Sequence, residues 1–232
     1  MKVKRMKWIK YRELASTNDY AKEKRGEGRD LIVTAKRQTG GRGTKGRSFS
    51  SNEGGVYLTS LRFYEKFPAK RAFEKMASAT VAVCKTLETL GVKPVIKWSN
   101  DIHVNGKKIC GILTENTFSG EWLTCSVIGI GINVCNALPA ELDEIATTLV
   151  RETGKRLSVR KVTKRLIKNL SVEHPVEEYL ERLGYMGRQV ELVLGDERVP
   201  ATLLRVDSEG GLWVEIDGET KRFTAAEVSI KL

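Results

Sequence analysis

The chain has 232 residues, enough for one large domain and one small domain. Of these residues 41% are hydrophobic and 30% charged, an ordinary balance for a globular protein. No apolar run approaches the roughly 20 residues of a membrane span, and no secretion signal is present, so we expect a cytoplasmic protein without a membrane partner. The formal net charge of +11 suits an acidic partner such as a nucleic acid, a nucleotide or an acidic protein. The alternative is a lysine-rich surface without such a partner, since Lys and Arg are spread along the whole chain.

Cysteine and histidine usage bears on the kind of site to expect. The four cysteines form no C-x-x-C pair, which favours buried free thiols. With only two histidines we expect neither a histidine-based metal site nor a catalytic triad. His103 alternates with apolar residues and is expected to be structural or to lie at the surface.

The N-terminal part predicts a strand, a helix and a second strand. Residues 8–11 and 31–35 are the strands, and the helix follows Ser16-Thr17-Asn18. The hydroxyl groups of this triplet are natural helix caps. The alternative is that the hydroxyls and the Asn18 amide face a polar ligand at the start of the helix.

Residues 37–47 form a basic loop with four glycines and four cationic side chains. The loop contains G-x-G-x-x-G, but a strand at residues 56–63 follows it, whereas a dinucleotide-binding fold requires a helix there. Glycines admit close approach of a ligand, and arginines bind carboxylate or phosphate with two hydrogen bonds. The loop is therefore either a flexible lid over an anionic ligand or a solvated turn that joins two strands.

Residues 72–90 predict an amphipathic helix, and residues 95–98 a strand that carries Lys97 among apolar neighbours. A lysine in this position needs a partner or a chemical role, unless it protects an exposed sheet edge. Asn105-Gly106 predicts the turn of a hairpin over residues 102–115. Gly111 in its second strand suggests a close approach to the backbone.

Residues 126–134 predict a strand with two unlike faces. Ile128, Ile130 and Ile132 form a core face, while Gly129, Gly131 and Asn133 lie on the other. Glycine weakens a strand interior, so a face without side chains suggests a ligand lying on it. Tight helix packing is the alternative.

The C-terminal part predicts helices and then short strands. Residues 141–152 are predicted helical, Ser158 caps a long basic helix, and residues 176–183 form a further turn or helix. From residue 185, short strands separated by Gly-containing turns predict a small all-β barrel. We therefore place one domain at residues 1–184 and a second at residues 185–232.

Five separated motifs resemble those of biotin protein ligase, in the order and at the spacing of that family. They are Ser16-Thr17-Asn18, Gln38-Thr39-x-Gly41-Arg42-Gly43-x-x-Gly46-Arg47, Lys97-Trp98-x-Asn100-Asp101, Lys107-Lys108-Ile109-x-Gly111-Ile112-Leu113 and Gly129-Ile130-Gly131-Ile132-Asn133. The resemblance implies an α+β fold: a mixed sheet flanked by helices, similar to class II aminoacyl-tRNA synthetases, with an SH3-like C-terminal β-barrel. Since the catalytic part already begins at Trp8, we expect a short form without an N-terminal DNA-binding domain and without operator binding.

The resemblance also implies the reaction and its partners. Biotin and MgATP would give biotinyl-5′-AMP, from which biotin passes to a lysine of a biotin carboxyl carrier protein domain. Lys97 and Arg42 would be the catalytic cations, and Mg²⁺ would arrive with ATP rather than on a protein metal site. The implied biotin contacts are Ser16, Thr17, Asn18, Gln38, Gly41, Arg42, Gly43, Thr44, Lys97, Gly111, Gly129 and Gly131. The implied ATP contacts are Arg42, Arg47, Trp98, Asn100, Lys108 and Asn133.

Two positions depart from the family pattern. Thr44 stands where the family often has Arg, so one lid cation is missing, although Lys45 is beside it. Ser99 replaces the usual Pro between Trp98 and Asn100, which should only loosen a turn.

Two other functions remain open from the sequence. A lipoate ligase-type enzyme of the same superfamily is the nearer one, and the basic lid and Lys97-Trp98 argue against it. A non-enzymatic nucleic-acid-binding module is the other, and the barrel lacks the stacked aromatic residues that such a surface uses. The sequence also leaves open whether the chain forms a homodimer.

Overall fold

A computed structural model describes residues 6–231 of the chain. Within them, the larger sheet contains β1 (Lys7–Leu14), β2 (Leu31–Gln38), β3 (Val56–Pro68), β4 (Val95–Lys97), β5 (Asp101–Val104), β6 (Lys107–Ser119) and β7 (Trp122–Ile132). Their spatial order is β1-β2-β3-β7-β6-β5-β4. β1 pairs parallel with β2 and the other neighbouring strands pair antiparallel, which confirms a mixed sheet.

Helices cover both faces of this sheet. They are α1 (Thr17–Glu23), α2 (Phe73–Glu88), α3 (Leu149–Thr153), α4 (Val159–Leu170) and α5 (Val176–Leu180). The odd-numbered side chains of β7, such as Val127, pack with α1, whereas Ile128 and Ile130 belong to the main core beneath α2 and α4. Because side chains alternate along a strand, Gly129 and Gly131 lie on the α1 face.

The predicted turns and caps of this part form locally. The basic loop connects the antiparallel pair β2 and β3, as the sequence predicts. Asn105 and Gly106 take φ values of 51° and 80°, the two positive angles that a tight hairpin turn requires. Ser158 caps α4 by accepting a hydrogen bond from the Lys161 amide.

Of the helix predicted over residues 141–152, only the C-terminal end forms, as α3, and the rest of the prediction is wrong. A single 3-10 turn at Ala140–Leu142 precedes irregular chain, and α3 begins only after the cap Thr148. The reason is a competing backbone interaction: the Lys108 amide donates to the Ile145 carbonyl at 2.9 Å, and the Thr147 amide donates to the Lys108 carbonyl at 2.9 Å. α5 likewise ends before Leu183, because the following chain runs beside Ile96 of β4.

The second sheet contains β8 (Gln189–Leu194), β9 (Glu197–Val206), β10 (Leu212–Ile216), β11 (Glu219–Phe223) and β12 (Val228–Lys231). Its order is β11-β10-β9-β8-β12, with every neighbouring pair antiparallel. Within the described part of the chain the edge strands β11 and β12 do not pair, so the sheet is open and the predicted barrel closure is not confirmed. Between residues 6 and 231, no helix has the length and apolar character needed to cross a membrane.

Candidate active site

A cavity on the α1 face brings together segments that are far apart in the sequence. The space between its lining residues is about 510 Å³ with the open solvent at its mouth included, of which about 50 Å³ can take the centre of a water-sized sphere. The predicted site residues that line it are Ser16, Thr17, Asn18, Gln38, Arg42, Gly43, Thr44, Asn100, Lys108, Gly111, Gly129 and Gly131. Each of the five motifs therefore contributes at least one residue to the cavity. Lys97 itself does not line it, but its cross-strand neighbour Asp101 does.

The start of α1 forms one wall of the cavity. Ser16 Oγ accepts a hydrogen bond from the Asp19 amide at 3.3 Å, so Ser16 caps the helix as predicted. Gln38 Oε1 accepts from the Thr17 amide at 2.8 Å and from the Thr17 hydroxyl at 2.9 Å. Gln38 Nε2 donates to Ser51 Oγ at 2.9 Å. These bonds fix the end of β2 against the helix start, while ligand contacts by the same residues stay a prediction.

The Asn18 side chain is buried and held at both ends of its amide. Its Oδ1 lies 2.7 Å from Thr59 Oγ1, and its Nδ2 donates to Glu115 Oε2 at 3.0 Å. A Cβ atom placed on Gly129 would lie 2.1 Å from Asn18 Oδ1. Gly129 therefore lacks a side chain so that this amide can rest directly on the strand.

The Phe49 ring covers the second glycine of β7. A Cβ atom on Gly131 would lie 2.5 Å from the ring, and one on Gly111 would lie 3.3 Å from it. The side-chain-free face predicted from the sequence is thus present, and residues from two different segments approach it closely. Neither a bare ligand platform nor helix packing alone describes it, since Asn18 comes from α1 and Phe49 from the chain just after the basic loop.

The basic loop folds into a short hairpin over residues 41–49, called the basic hairpin below. The Phe49 amide donates to the Gly41 carbonyl at 2.9 Å, and the Gly43 amide donates to the Arg47 carbonyl at 2.6 Å. Lys45 and Gly46 turn the chain with φ values of 54° and 73°. A Cβ atom on Gly41 would lie 2.4 Å from the Phe49 carbonyl oxygen, so only glycine fits at the base.

Carboxylates surround the predicted catalytic arginine. Arg42 pairs with Asp19, and its guanidinium also lies 3.9 Å from Glu115 Oε1. Glu115 pairs in addition with Lys22. The Arg42 side chain is 43% exposed, so its ion pairs are screened by solvent and contribute little to stability. An anionic ligand could therefore compete for Arg42 at small cost.

Lys97 lies beside a second group of charges. Lys108 Nζ is 2.6 Å from Asp101 Oδ1, both residues line the cavity, and Asp101 is the cross-strand neighbour of Lys97. Burial lowers the pKa of Lys97 below its ordinary value; Lys108 and Arg47 lower it further, and Asp101 opposes them. Among residues 6–231, Lys97 has no ion pair of its own. β4 is the last strand of the sheet, but residues 182–184 hydrogen-bond to its outer side at Ile96, which weakens the edge-protecting interpretation of Lys97.

Five predicted site residues do not line the cavity: Gly41, Arg47, Lys97, Trp98 and Asn133. Arg47 donates to Ser229 Oγ of β12 at 3.4 Å, and Trp98 Nε1 donates to the Gly210 carbonyl at 3.1 Å. The Asn133 side chain is buried and accepts from Asn136 Nδ2 at 3.1 Å. Their roles toward biotin or ATP stay predictions.

The sequence interpretation gave no role to several residues that shape the site: Phe49, Thr59, Asp101 and Glu115. Phe49 is the one large apolar residue in a stretch of polar and small residues, which is a usable signal. Thr59 is a polar residue inside an apolar strand, opposite Gly129. Nothing near Glu115 in the sequence indicates that it meets Asn18 and Lys22.

Comparison with known proteins decides the family. A family model described as the Biotin/lipoate A/B protein ligase family matches residues 11–133, more than half of the chain. The chain belongs to this family. The matched range includes the start of α1, the basic hairpin, β4 to β7 and therefore the whole candidate site.

Individual proteins similar to this chain support the same family assignment. It is 31% identical over 215 residues to the bifunctional ligase/repressor BirA of Bacillus subtilis, covering 86% of this chain and 66% of that protein. It is 25% identical to the biotin–[acetyl-CoA-carboxylase] ligase of Mycobacterium tuberculosis, covering 93% and 86%. The structure of the Aquifex aeolicus biotin protein ligase in complex with biotin and ATP superposes with a TM-score of 0.78 at 28% identity, covering 97% and 98%. The chain thus spans about two thirds of its Bacillus relative.

Proposed function

We propose that this protein is an ATP-dependent biotin protein ligase, which activates biotin and then transfers it to a lysine of a biotin carboxyl carrier protein domain. The observation that carries the proposal is the cavity itself, where cationic residues meet a glycine pair beneath a basic hairpin. The structural likeness to a ligase solved with biotin and ATP supports it.

The first step joins two anions. A carboxylate oxygen of biotin attacks the α-phosphorus of ATP, the bond to the β-phosphate oxygen breaks, and biotinyl-5′-AMP and pyrophosphate form. Cations placed where negative charge develops are the main source of catalysis in such a step. Arg42 and Lys108 line the cavity and are proposed to hold the phosphates. Lys97, whose neighbour Asp101 lines the cavity, is proposed to bridge the carboxylate and the α-phosphate.

Magnesium is proposed to enter with the triphosphate, whose charge it partly neutralises. Among residues 6–231, no three His, Cys, Asp or Glu side chains are grouped as ligands of a metal ion. The carboxylates nearest the cavity are already paired, Asp101 with Lys108 and Asp19 with Arg42.

The second step is an acyl transfer. The neutral amine of the carrier lysine attacks the acyl carbon of the adenylate, an amide forms, and AMP leaves. The adenylate is a mixed anhydride that water would hydrolyse, so a cover over the site preserves it. The basic hairpin, with Phe49 lying against Gly111 and Gly131, is proposed as that cover.

The C-terminal sheet is proposed to be a separate SH3-like domain at residues 185–232, with the catalytic domain at residues 1–184. Its five short antiparallel strands form a sheet distinct from the seven-stranded one, which supports the division. Contacts such as that from Trp98 Nε1 to the Gly210 carbonyl join the two parts.

A direct assay tests the proposal. The protein is incubated with labelled biotin, ATP and a carrier domain, and both pyrophosphate release and label on the carrier lysine are measured. A carrier with that lysine replaced by Arg is the control for the second step. Equal turnover with lipoate would favour the lipoate ligase alternative, and no biotin-dependent pyrophosphate release would refute the proposal.

A further inference from the structure

The positive surplus of this protein is concentrated in one segment. Residues 153–172 contain seven cationic side chains and no acidic one: Lys155, Arg156, Arg160, Lys161, Lys164, Arg165 and Lys168. Without these seven, the formal net charge of +11 would be +4. Lys and Arg are spread along the whole chain, but the acidic residues that balance them elsewhere are missing in this segment.

The seven cations are exposed, and five of them lie on α4. Arg160, Lys164 and Lys168 follow one another at four-residue intervals, about 6 Å apart along the helix axis. Lys161 and Arg165 form a parallel row beside them. We call these five residues the basic face of α4.

No carboxylate neutralises the basic face within residues 6–231. The two acids that flank the segment are engaged elsewhere: Glu152 accepts hydrogen bonds from Asn105 and Thr147, each at 2.6 Å, and Glu173 lies 3.2 Å from Lys75. An exposed cationic surface of this size raises the local concentration of anions.

The helix is firmly placed, and only its charged side is available. Val162, Thr163 and Leu166 are buried against the core, and Asn169 Nδ2 donates to Thr86 Oγ1 of α2 at 2.9 Å. The apolar side of α4 is thus not free to insert into a lipid surface, which an interfacial helix would need.

The basic face is also remote from the candidate site. α4 packs against α2 and β3 and shares with Ile128 and Ile130 the core on one side of the sheet, whereas Gly129 and Gly131 face the cavity on the other. A carrier domain bound to α4 would therefore present its lysine on the wrong side of the sheet. The partner of this surface is not the second substrate of the proposed reaction.

We propose that the basic face of α4 binds the phosphate backbone of double-stranded nucleic acid without sequence preference. Phosphates follow one another at about 3.4 Å of rise along a strand, so a row of cations can neutralise several of them. Lysine and arginine contacts to phosphate carry no sequence information. Residues 153–172 contain no aromatic side chain on which single-stranded bases could stack, so a duplex fits better. This inference is independent of the proposed ligase activity.

Fluorescence anisotropy with a labelled duplex of about 20 base pairs and the full-length protein tests the inference. The variant Lys161→Gln/Lys164→Gln/Lys168→Gln removes three charges but keeps helix-forming residues. The matched control Lys66→Gln/Lys70→Gln/Lys93→Gln removes three exposed charges elsewhere. We expect the α4 variant to bind at least about tenfold more weakly and to lower the slope of log affinity against log salt by about 2.7. Circular dichroism and pyrophosphate release should be unchanged in both variants.

Three results would overturn the inference. The first is an equal loss of affinity in the control variant, which would show that the charge acts diffusely. The second is a competition experiment in which polyglutamate, or vesicles with anionic lipid, displace the labelled duplex as effectively as unlabelled duplex does at equal charge. That result would indicate another kind of partner. The third is the absence of salt-dependent duplex binding.

Discussion

Replacing Gly129 by alanine tests how the centre of the site is built. The φ angle of Gly129 is not in the left-handed region, so the substitution introduces no backbone strain. The new methyl group would lie 2.1 Å from Asn18 Oδ1 and 2.8 Å from its Cγ. Since no methyl group fits there, the Asn18 amide must move away from β7.

The cost follows from the hydrogen bonds that Asn18 makes. Displacement breaks its contacts with Thr59, at 2.7 Å, and with Glu115, at 3.0 Å. Each bond contributes about 1 kcal/mol, and buried polar groups left without partners cost about 1–3 kcal/mol more. The smaller entropy of the unfolded chain after Gly→Ala returns about 0.4–1 kcal/mol. We expect a net loss of about 2–4 kcal/mol in the free energy of unfolding.

Urea denaturation in a double-mutant cycle measures this cost without reference to activity. In the Asn18→Ala background the amide is absent, so adding Gly129→Ala should cost less than about 1 kcal/mol. Gly40→Ala is the control, because a Cβ atom there meets the Ala15 carbonyl oxygen at an ordinary 3.5 Å. If Gly129→Ala cost the same with and without Asn18, our account of this contact would be refuted.

Three further predictions concern charge. Lys97→Ala should lower biotin-dependent pyrophosphate release by a factor of about 10²–10³, because a preorganised cation is lost. The control Lys93→Ala, at an exposed position, should leave the rate unchanged. Wild-type turnover of Lys97→Ala would exclude Lys97 from catalysis. Arg42→Gly should weaken biotin binding in calorimetry about tenfold or more through loss of a charge-assisted contact, and an unchanged affinity would argue against that contact. Burial lowers the pKa of His103 from 6.5 to about 4, so as pH falls through this interval the unfolded chain takes up a proton that the folded protein does not, and stability is lost. His103→Gln should remove about 1–3 kcal/mol of that loss between these pH values in urea titrations, and an unaltered pH dependence would show that other groups cause it.

The sequence alone determined features that depend on near neighbours. The alternation of isoleucine and glycine in β7 fixed which face is core, because successive side chains of a strand point to opposite sides. Asn105-Gly106 fixed a hairpin turn, since few residues adopt two positive φ angles in succession. Ser158 fixed the start of α4 through a hydrogen bond that spans three residues. The motifs that indicated the family are likewise short segments whose spacing is visible in the chain.

Tertiary structure decided what occupies the space between these segments. Asn18 and Phe49 rest on the two glycines of β7 because three segments distant in sequence meet there, and no local pattern encodes that meeting. Residues 145–147 leave the helical pattern because their backbone bonds to Lys108, a partner that periodicity cannot reveal. The second sheet remains open for the same kind of reason: short alternating strands specify their faces, but whether the two edge strands pair depends on the twist and arrangement of the whole sheet.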